Sequence, residues 1–294
     1  MQIIVCVKSE LDATGPIKLI EPVDKINTKD LVQTINPADH AALTLVRNSI
    51  PHDMGMITVI TVSPASAEKI LRICLASGAD NAVRVWDESL KEENLNAKSV
   101  ASLLHKAIQL LKADLVVCGS EGLCETSGYI GPALAELLDA AQICRVDHME
   151  VSDDKQSILF HRKHNYGNRE VITCLKPAVI TVDYDAAKPP AVSMKESIKA
   201  SKVPIMHLDL ESLGCKEDEW THNANANVLQ YMPPRPRTKK IKQASDKPLT
   251  PQQKMQQMLG GGAAKQSSNI IEGDSKKAAK EFVDFLIAER ILNF

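Results

Sequence analysis

Residues 114–138 read DLVVCGSEGLCETSGYIGPALAELL, and this stretch contains three consecutive structural signals. The apolar run 114–118, which is rich in valine, predicts a buried strand. Glycines recur at positions 119, 122, 128 and 131, so a loop follows the strand. Pro132 then suits the first turn of a helix, because the N–H that proline lacks is not needed there. A buried strand, a glycine-rich loop and a helix in this order predict one unit of an α/β fold.

The same alternation continues on both sides of this stretch. Runs rich in β-branched residues predict strands at 3–7, 55–62, 82–86 and 178–182, and a hairpin at 157–160 and 170–174. Apolar residues repeat every three or four positions, as amphipathic helices require, over 38–49, 65–77 and 97–111. Nearly continuous apolar strands that alternate with helices are typical of a parallel sheet covered on both faces. The predicted fold class is α/β, with a doubly wound, mostly parallel, Rossmann-like sheet.

The composition of the chain changes after residue 205, where the predicted α/β domain (1–205) ends. Residues 233–240 read PPRPRTKK, which predicts an extended basic segment, and three glycines follow at 260–262. Residues 275–292 have the spacing of an amphipathic helix. We therefore predict a linker or arm over 206–274 and a C-terminal helix over 275–294, which docks on the body of the chain or on a partner.

Overall composition excludes several broad classes of protein. The 294 residues are 44% hydrophobic and 24% charged, which is ordinary for a globular protein. The net charge of -2 lacks the electrostatic footprint of a dedicated nucleic-acid binder. The N-terminus has no signal-peptide pattern, and no apolar run reaches the roughly 20 residues of a membrane span. We expect a cytoplasmic protein that binds no nucleic acid and does not span a membrane.

Cysteine and histidine spacing predicts neither a metal site nor a catalytic centre. The seven cysteines contain no CxxC pair, and the eight histidines contain no HExxH spacing. Cys6 and Cys118 lie on predicted core strands, where packing is the simpler role. Ser120 is not part of the GxSxG turn of a serine hydrolase. No residue is therefore predicted to be catalytic.

The loop 119–130 is the ligand site that the residues themselves indicate. It ends a buried strand and begins a helix, where backbone N–H groups favour a phosphate. Glycines let the backbone approach an oxyanion closely, and the hydroxyls of Ser120, Thr126 and Ser127 can donate hydrogen bonds. The loop matches neither GxGxxG nor a P-loop, so an ordinary glycine-rich connection remains the alternative.

A second notable segment is residues 35–43, which read INPADHAAL. Asn36 and Pro37 predict the start of a helix, and Asp39 and His40 fall in its first turn. Helix capping accounts for these residue types without any ligand. The residues alone therefore leave the role of this segment open.

Seven segments, in the same order and spacing, resemble the β (small) subunit of electron-transfer flavoproteins, a family with a Rossmann-like, adenine-nucleotide-binding fold. These segments are IVCVK (4–8), INPAD (35–39), ILRICLASGAD (70–80), DLVVCG (114–119), GPALAELL (131–138), LKPAVITVD (175–183) and SMKESIKASKVPI (193–205). Each motif is short, but their combination is specific. The resemblance covers the whole predicted α/β domain.

The resemblance implies a heterodimer with a larger α subunit that carries an electron-transferring FAD. The β subunit would hold an adenine nucleotide, either a structural AMP or, in electron-bifurcating members, a second FAD. The C-terminal helix would then dock on the α subunit, and a dehydrogenase or a membrane oxidoreductase would exchange electrons with the flavoprotein complex. The nucleotide contacts of the family fall here on Cys6, Asn36, Pro37, Ala38, Asp39, Val62, Gly119, Ser120, Glu121, Gly122, Leu123, Cys124, Glu125, Thr126, Ser127, Gly128, Tyr129 and Ile130.

The sequence departs from the family pattern at three places. The loop 119–126 lacks two aspartates of the family, and Lys163 replaces an acidic residue near the α-subunit flavin. In the partner-recognition loop, 183–190, Ala186 stands at the position of an anchoring leucine, so a different docking partner is expected.

Two questions about function stay open at the level of sequence. We favour a second FAD over AMP in this chain, because Gly131-Pro132 and the altered recognition loop resemble the bifurcating members more closely. The leading hypothesis is an electron-transfer subunit without a complete active site of its own. A stand-alone adenine-nucleotide-binding module is the main alternative, and a nucleotide-dependent ligase or hydrolase is the third.

Overall fold

A central β-sheet dominates the chain in the computed structural model, which describes residues 1–12, 19–20, 25–27, 31–92, 95–123, 126–152, 156–215 and 274–288. The strands are β1 (Gln2–Cys6), β2 (Ser9–Leu11), β3 (Leu19–Ile20), β4 (Lys25–Ile26), β5 (Gln33–Ile35), β6 (Met56–Val62), β7 (Asn81–Val85), β8 (Leu115–Gly119), β9 (Ala141–Val151), β10 (Ser157–Lys163), β11 (Arg169–Leu175), β12 (Ala178–Val182) and β13 (Ile205–Leu208). The α-helices are α1 (Pro37–Ser49), α2 (Glu68–Ala76), α3 (Ala97–Leu111), α4 (Ile130–Leu138), α5 (Met194–Lys202) and α6 (Ser275–Ala288).

The central sheet has the strand order β11-β10-β9-β12-β8-β1-β6-β7-β13 in the described part of the chain. The seven strands β9, β12, β8, β1, β6, β7 and β13 are each parallel to their neighbours in this series. Strand β10 is antiparallel to both of its neighbours, β9 and β11. The prediction of a doubly wound, mostly parallel sheet is therefore confirmed. Two small antiparallel pairs, β2 with β5 and β3 with β4, lie outside this sheet.

Helices cover both faces of the sheet because side chains alternate along each strand. On one face, Ile3 and Val5 of β1 share a core cluster with Leu43 of α1 and Leu71 of α2. On the other face, Ile4 of β1 belongs to a cluster with buried residues of α3 and α4. The strands β1, β8 and β12 are consequently buried on both sides, which explains their unbroken apolar sequences.

The direction of winding reverses between β1 and β8. From β1 the chain adds β6 and then β7 on one side, and it returns through α3 to place β8 on the other side of β1. In open α/β sheets, ligands bind at the carboxyl ends of the strands where such a reversal opens a crevice. The segments that begin at Lys8 and Ser120 leave the sheet at this edge.

Core packing continues beyond Ile205, where the sequence analysis placed the end of the α/β domain. Strand β13 pairs in parallel with β7, and Leu208, Leu210 and Leu213 are buried in the core. Residues 216–273, which make up most of the predicted linker, lie outside the described residues.

The chain divides into two compact units, Met1–Pro233 and Pro234–Phe294. In the second unit the structure describes α6, which overlaps the predicted C-terminal helix. Phe282, Val283, Phe285 and Ile287 of this helix expose their apolar side chains.

Candidate functional site

The carboxylate of Asp39 links the two strands at the winding reversal. Its Oδ2 accepts a hydrogen bond from the Lys8 amide, just after β1, at 2.7 Å, and its Oδ1 accepts one from the Gly119 amide, at the end of β8, at 3.0 Å. Asp39 occupies the first turn of α1 and is buried. One side chain therefore fixes the start of the glycine-rich loop relative to β1.

Asn36 adds a second connection between α1 and the same loop. It occupies the N-cap position of α1 but makes no side-chain capping bond. Its Nδ2 instead donates to the backbone carbonyl of Glu121 at 2.9 Å. The capping explanation for this segment is therefore wrong for Asn36, because the side chain serves a tertiary contact 85 residues away along the chain.

Gly119 is required by the close approach of α1 to β8. A Cβ atom at this position would lie 2.3 Å from Oδ1 of Asp39, 2.9 Å from Cβ of Ala38 and 3.1 Å from Nδ2 of Asn36. Real Cβ atoms do not tolerate contacts below 3.0 Å. Glycine is thus the residue that allows the loop and the start of α1 to meet.

Burial raises the pKa of the Asp39 carboxyl to about 7. Hydrogen bonds from the Lys8 amide, the Asn36 side chain and the Gly119 amide act in the opposite direction, whereas the nearby carboxylate of Glu10 adds to the rise of the pKa. Glu10 is itself buried, and its side chain forms an ion pair of 3.3 Å with Lys8. Two acidic groups and one lysine thus meet at this edge of the sheet.

Cys6 and Val62 lie at the carboxyl ends of two neighbouring strands, β1 and β6. Cys6 ends β1 and is buried together with Cys118 of β8 in one core cluster. A hydrogen bond with Cys118 and burial hold the pKa of the Cys6 thiol well above its ordinary value. The Cys6 thiol is therefore expected to stay protonated at neutral pH, and its contact with a nucleotide stays a prediction. Val62 ends β6, which is next to β1 in the sheet.

The glycine-rich loop returns to its own start at Gly128. This residue has a φ of +58°, and a Cβ there would lie 2.8 Å from the carbonyl oxygen of Ser120. Thr126 and Ser127 are exposed, and α4 begins two residues after Gly128, at Ile130. Cys124 and Glu125, two of the predicted site residues, lie outside the described residues. The rest of the loop lies at the crevice with its hydroxyl donors accessible.

The structure therefore brings most of the predicted site residues to one edge of the sheet. Asn36, Asp39 and the loop from Gly119 to Glu121 are in direct contact. Pro37 and Ala38 lie between Asn36 and Asp39 in the first turn of α1. Gly122 and Leu123 follow in the loop, and Tyr129 is the N-cap residue of α4. That these residues hold a nucleotide stays a prediction.

A cavity of about 370 Å³ lies on the other side of the same loop. It is lined by residues of the loop, of the first turn of α4, of β9 and of the end of β12, namely Ser120, Glu121, Gly128, Pro132, Cys144, Arg145, Thr181, Asp183 and Tyr184. The contribution of β9, including Arg145, was not predicted, because no short motif identifies it and Arg145 lies beside an irregularity in the pairing of β9 with β12.

The segment that corresponds to the recognition loop of the resembling family is held against the sheet by two ion pairs. Asp183 pairs with Arg145 at 3.1 Å, and Asp185 pairs with Lys163 at 2.5 Å. Ala186 and Ala187 are partly buried and pack against the core. Lys163, one of the three departures from the family pattern, thus has an acidic partner within this chain.

In the described part of the chain, no cluster of three or more histidine, cysteine or acidic side chains is arranged to hold a metal ion. None of the described helices is both long enough and apolar enough to cross a membrane.

Comparison with known proteins identifies relatives along most of the chain. Residues 23–213 match the electron transfer flavoprotein domain. The chain is 30% identical over 225 residues to the electron transfer flavoprotein subunit beta of Thermoanaerobacterium thermosaccharolyticum, an alignment that covers 74% of this chain and 84% of that protein. It is 27% identical over 289 residues to the corresponding subunit of Bacillus subtilis, with 98% of each chain covered. It is 26% identical over 237 residues to the caffeyl-CoA reductase-Etf complex subunit CarD of Acetobacterium woodii, covering 80% and 88%.

Proposed function

Because this chain belongs to the electron transfer flavoprotein family, we propose that it is a β-type subunit of an electron-transfer complex. The similar proteins are named as electron transfer flavoprotein subunits beta and as a subunit of a reductase-Etf complex. The observation in the structure that best supports the proposal is the direct bonding of the Asn36–Asp39 turn to the loop that starts at Gly119. Two of the seven segments that carry the family resemblance are thereby in direct contact, which supports the proposal.

The site has the properties that a nucleotide phosphate requires. The loop ends at the N-terminus of α4, and the exposed hydroxyls of Thr126 and Ser127 can donate to an anion. The carboxylate of Asp39 is already occupied by two backbone amides, so its role is to position the loop. The proposed nucleotide contacts are Cys6, the turn 36–39, Val62 and the loop 119–130.

In this proposal the chain holds an adenine nucleotide and pairs with an α subunit that carries FAD. FAD is favoured over AMP within this chain. A bound flavin supplies the ability to accept and donate electrons, whereas the protein binds the cofactor, orients it and sets its electrostatic surroundings. A dehydrogenase or a membrane oxidoreductase is the proposed redox partner, and helix α6 with its exposed apolar residues is the proposed contact to the α subunit.

The cofactor content of the purified heterodimer tests this function. We expect acid treatment of the chain, co-purified with its α subunit, to release about two FAD and no AMP per heterodimer, since each subunit would carry a flavin. Chromatography of the released nucleotides against standards gives the ratio. One FAD with one AMP would retain the electron-transfer function but refute the second flavin. A heterodimer without any flavin would refute the function itself.

Replacing Gly128 with valine tests the position of the nucleotide. We expect an affinity loss of about tenfold or more, because the new Cβ would press on the Ser120 carbonyl, and because valine is strained at a positive φ. Gly214→Val is the matched control: Gly214 has a φ of +63° but has nothing within 4 Å of its Cβ position. Nucleotide titrations of both variants, together with their unfolding curves, separate the two effects. Equal affinity in the two variants would contradict the assignment of the loop.

A further inference from the structure

Arg145 has an unusual backbone conformation for a residue within a strand. Its φ is +59°, in the left-handed region that glycine favours, and its amide donates to Oγ1 of Thr181 at 3.1 Å. The pairing of β9 with β12 shifts register between Ile180 and Val182, opposite this residue. Strained non-glycine residues at irregular strand pairs persist where the surroundings hold them, and they cluster at functional sites.

The ion pair with Asp183 orients the guanidinium group and leaves part of it available. Nε of Arg145 donates to Oδ2 of Asp183 at 3.1 Å. Among the described residues, nothing accepts a hydrogen bond from the two terminal nitrogens, Nη1 and Nη2. The Arg145 side chain is 54% exposed and lines the cavity of about 370 Å³. The cavity therefore contains a fixed cation with free donors.

Strand order places this cavity next to the proposed nucleotide site but on its opposite side. Strand β8 has β1 as one neighbour and β12 as the other. The turn that contains Asn36 and Asp39 contacts the loop after β8 from the β1 side. Ser120, Glu121 and Gly128 of that loop line the cavity on the β12 side. A ligand held by the loop can therefore extend from one side to the other.

The charges in the cavity favour a neutral ring over a second anion. Asp183 neutralises Arg145, and Glu121 adds a further negative charge, so a phosphate would meet net repulsion. Tyr184, Pro132 and Cys144 supply largely apolar surface. A planar ring system with carbonyl acceptors can stack on such surface and accept hydrogen bonds from Nη1 and Nη2. The volume also falls in the roughly 300–1,000 Å³ range of ligand pockets.

We propose that this cavity receives the isoalloxazine ring of an FAD bound by this chain, and that Arg145 thereby makes the chain discriminate FAD from AMP. The proposal rests on the proposed function, because it requires the adenine half of the nucleotide to bind at the loop. AMP ends at its phosphate and does not reach Arg145. FAD has the additional ring, so the contribution of Arg145 falls on FAD alone.

The test compares the affinities of the full-length chain for FAD and for AMP after substitution of Arg145. Arg145→Gly removes the guanidinium and relieves the backbone strain, so this variant folds without the penalty of the original conformation. We expect FAD to bind about tenfold more weakly and AMP to bind within about twofold of the wild type, since hydrogen bonds from a charged donor are worth that much. Flavin fluorescence titration measures FAD, and calorimetry measures AMP.

Arg169→Ala is the matched control for the loss of an arginine from this part of the sheet. Arg169 lies on β11 and pairs with Asp147 at 2.7 Å, but it does not line the cavity. Both of its nucleotide affinities should equal those of the wild type. Arg145→Lys serves as the conservative variant, and we expect it to recover only part of the FAD affinity, since lysine lacks the planar pair of donors.

Each outcome of the titrations supports or overturns the inference. A loss confined to FAD supports it. Equal losses of FAD and AMP, or no loss in Arg145→Gly, overturn it while leaving the electron-transfer function in place. A wild-type chain that binds AMP but not FAD also overturns it. If the variant changes the flavin of the α subunit in the heterodimer but not FAD binding to this chain, the cavity receives the partner's ring and the inference is wrong.

Discussion

Replacing Gly119 with alanine is expected to lower the free energy of unfolding by about 3 to 5 kcal/mol and to abolish nucleotide binding. The added Cβ would lie 2.3 Å from Oδ1 of Asp39, so the carboxylate or the end of β8 must move. Movement of the carboxylate breaks its hydrogen bonds to the amides of Gly119 and Lys8, which are buried or partly buried. The loss of these bonds adds to the cost of overpacking. Denaturant unfolding of the two proteins measures the difference.

Gly167→Ala is the control for the effect of a methyl group without a clash. Gly167 has a φ of +76° and nothing within 4 Å of its Cβ position, so alanine there costs about 1 to 2 kcal/mol through backbone strain alone. If Gly119→Ala is as stable as this control, α1 and β8 are not in the close contact described above. If Gly119→Ala is destabilised but binds the nucleotide normally, the loop is not the nucleotide site.

The sheet could be predicted from the sequence because its central strands are buried on both faces. Residues 178–182 were predicted as a strand and form β12 with the same bounds, since all five of its side chains are buried. Helix α3 likewise spans the predicted residues 97–111. In both cases the pattern depends on local burial and periodicity, which a single sequence displays directly.

Strand β9 was not predicted because its buried residues recur every third position instead of alternating. In AQICRVDHMEV, only Ile143, Val146 and Met149 are buried, and Arg145 interrupts the alternation of side chains. Its partners, β12 and β10, supply the hydrogen bonds that the local sequence does not favour. Helix α5 is different, because Ser193 and Glu196 form a capping box. That signal is visible in the sequence and could have predicted the helix.

Individual elements of the candidate site could be predicted from the sequence, but not the contacts between them. The segments 35–43 and 119–130 were each identified from residue types. The bond between Asp39 and Gly119 joins residues 80 positions apart, and no local pattern encodes it. The same is true of the cavity, whose lining combines three separate segments of the chain. A resemblance to a family supplied the connection that the residue types left open.

The stability of the wild-type protein is expected to fall, relative to Asp39→Asn, as the pH rises from about 4 to 7. Burial raises the pKa of Asp39 from 3.8 to about 7, so in this interval the folded chain keeps a proton that the unfolded chain releases. The folded state then binds more protons, and the free energy of unfolding decreases with pH. The stabilisation that the Asp39 proton provides is complete below the pKa of Asp39 in the unfolded chain, and it is lost once the pH reaches the pKa in the folded chain. Asparagine does not titrate, so the Asp39→Asn variant lacks this pH-dependent stabilisation.

Unfolding free energies of the two proteins, measured at several pH values between 4 and 8, give the difference directly, because all other titrating groups are common to both. We expect the difference to change by a few kcal/mol, on the order of 1.4 kcal/mol per pH unit, and then to level off above pH 7. Parallel curves would contradict the raised pKa.

Glu10→Gln should move the upper end of the pH interval over which stability falls to lower pH, because the Glu10 carboxylate contributes to the rise of the Asp39 pKa. The carboxylate that fixes the loop would thus ionise near neutral pH, and the ionised form, which makes the stronger hydrogen bonds to the Lys8 and Gly119 amides, is the one that holds the loop most firmly.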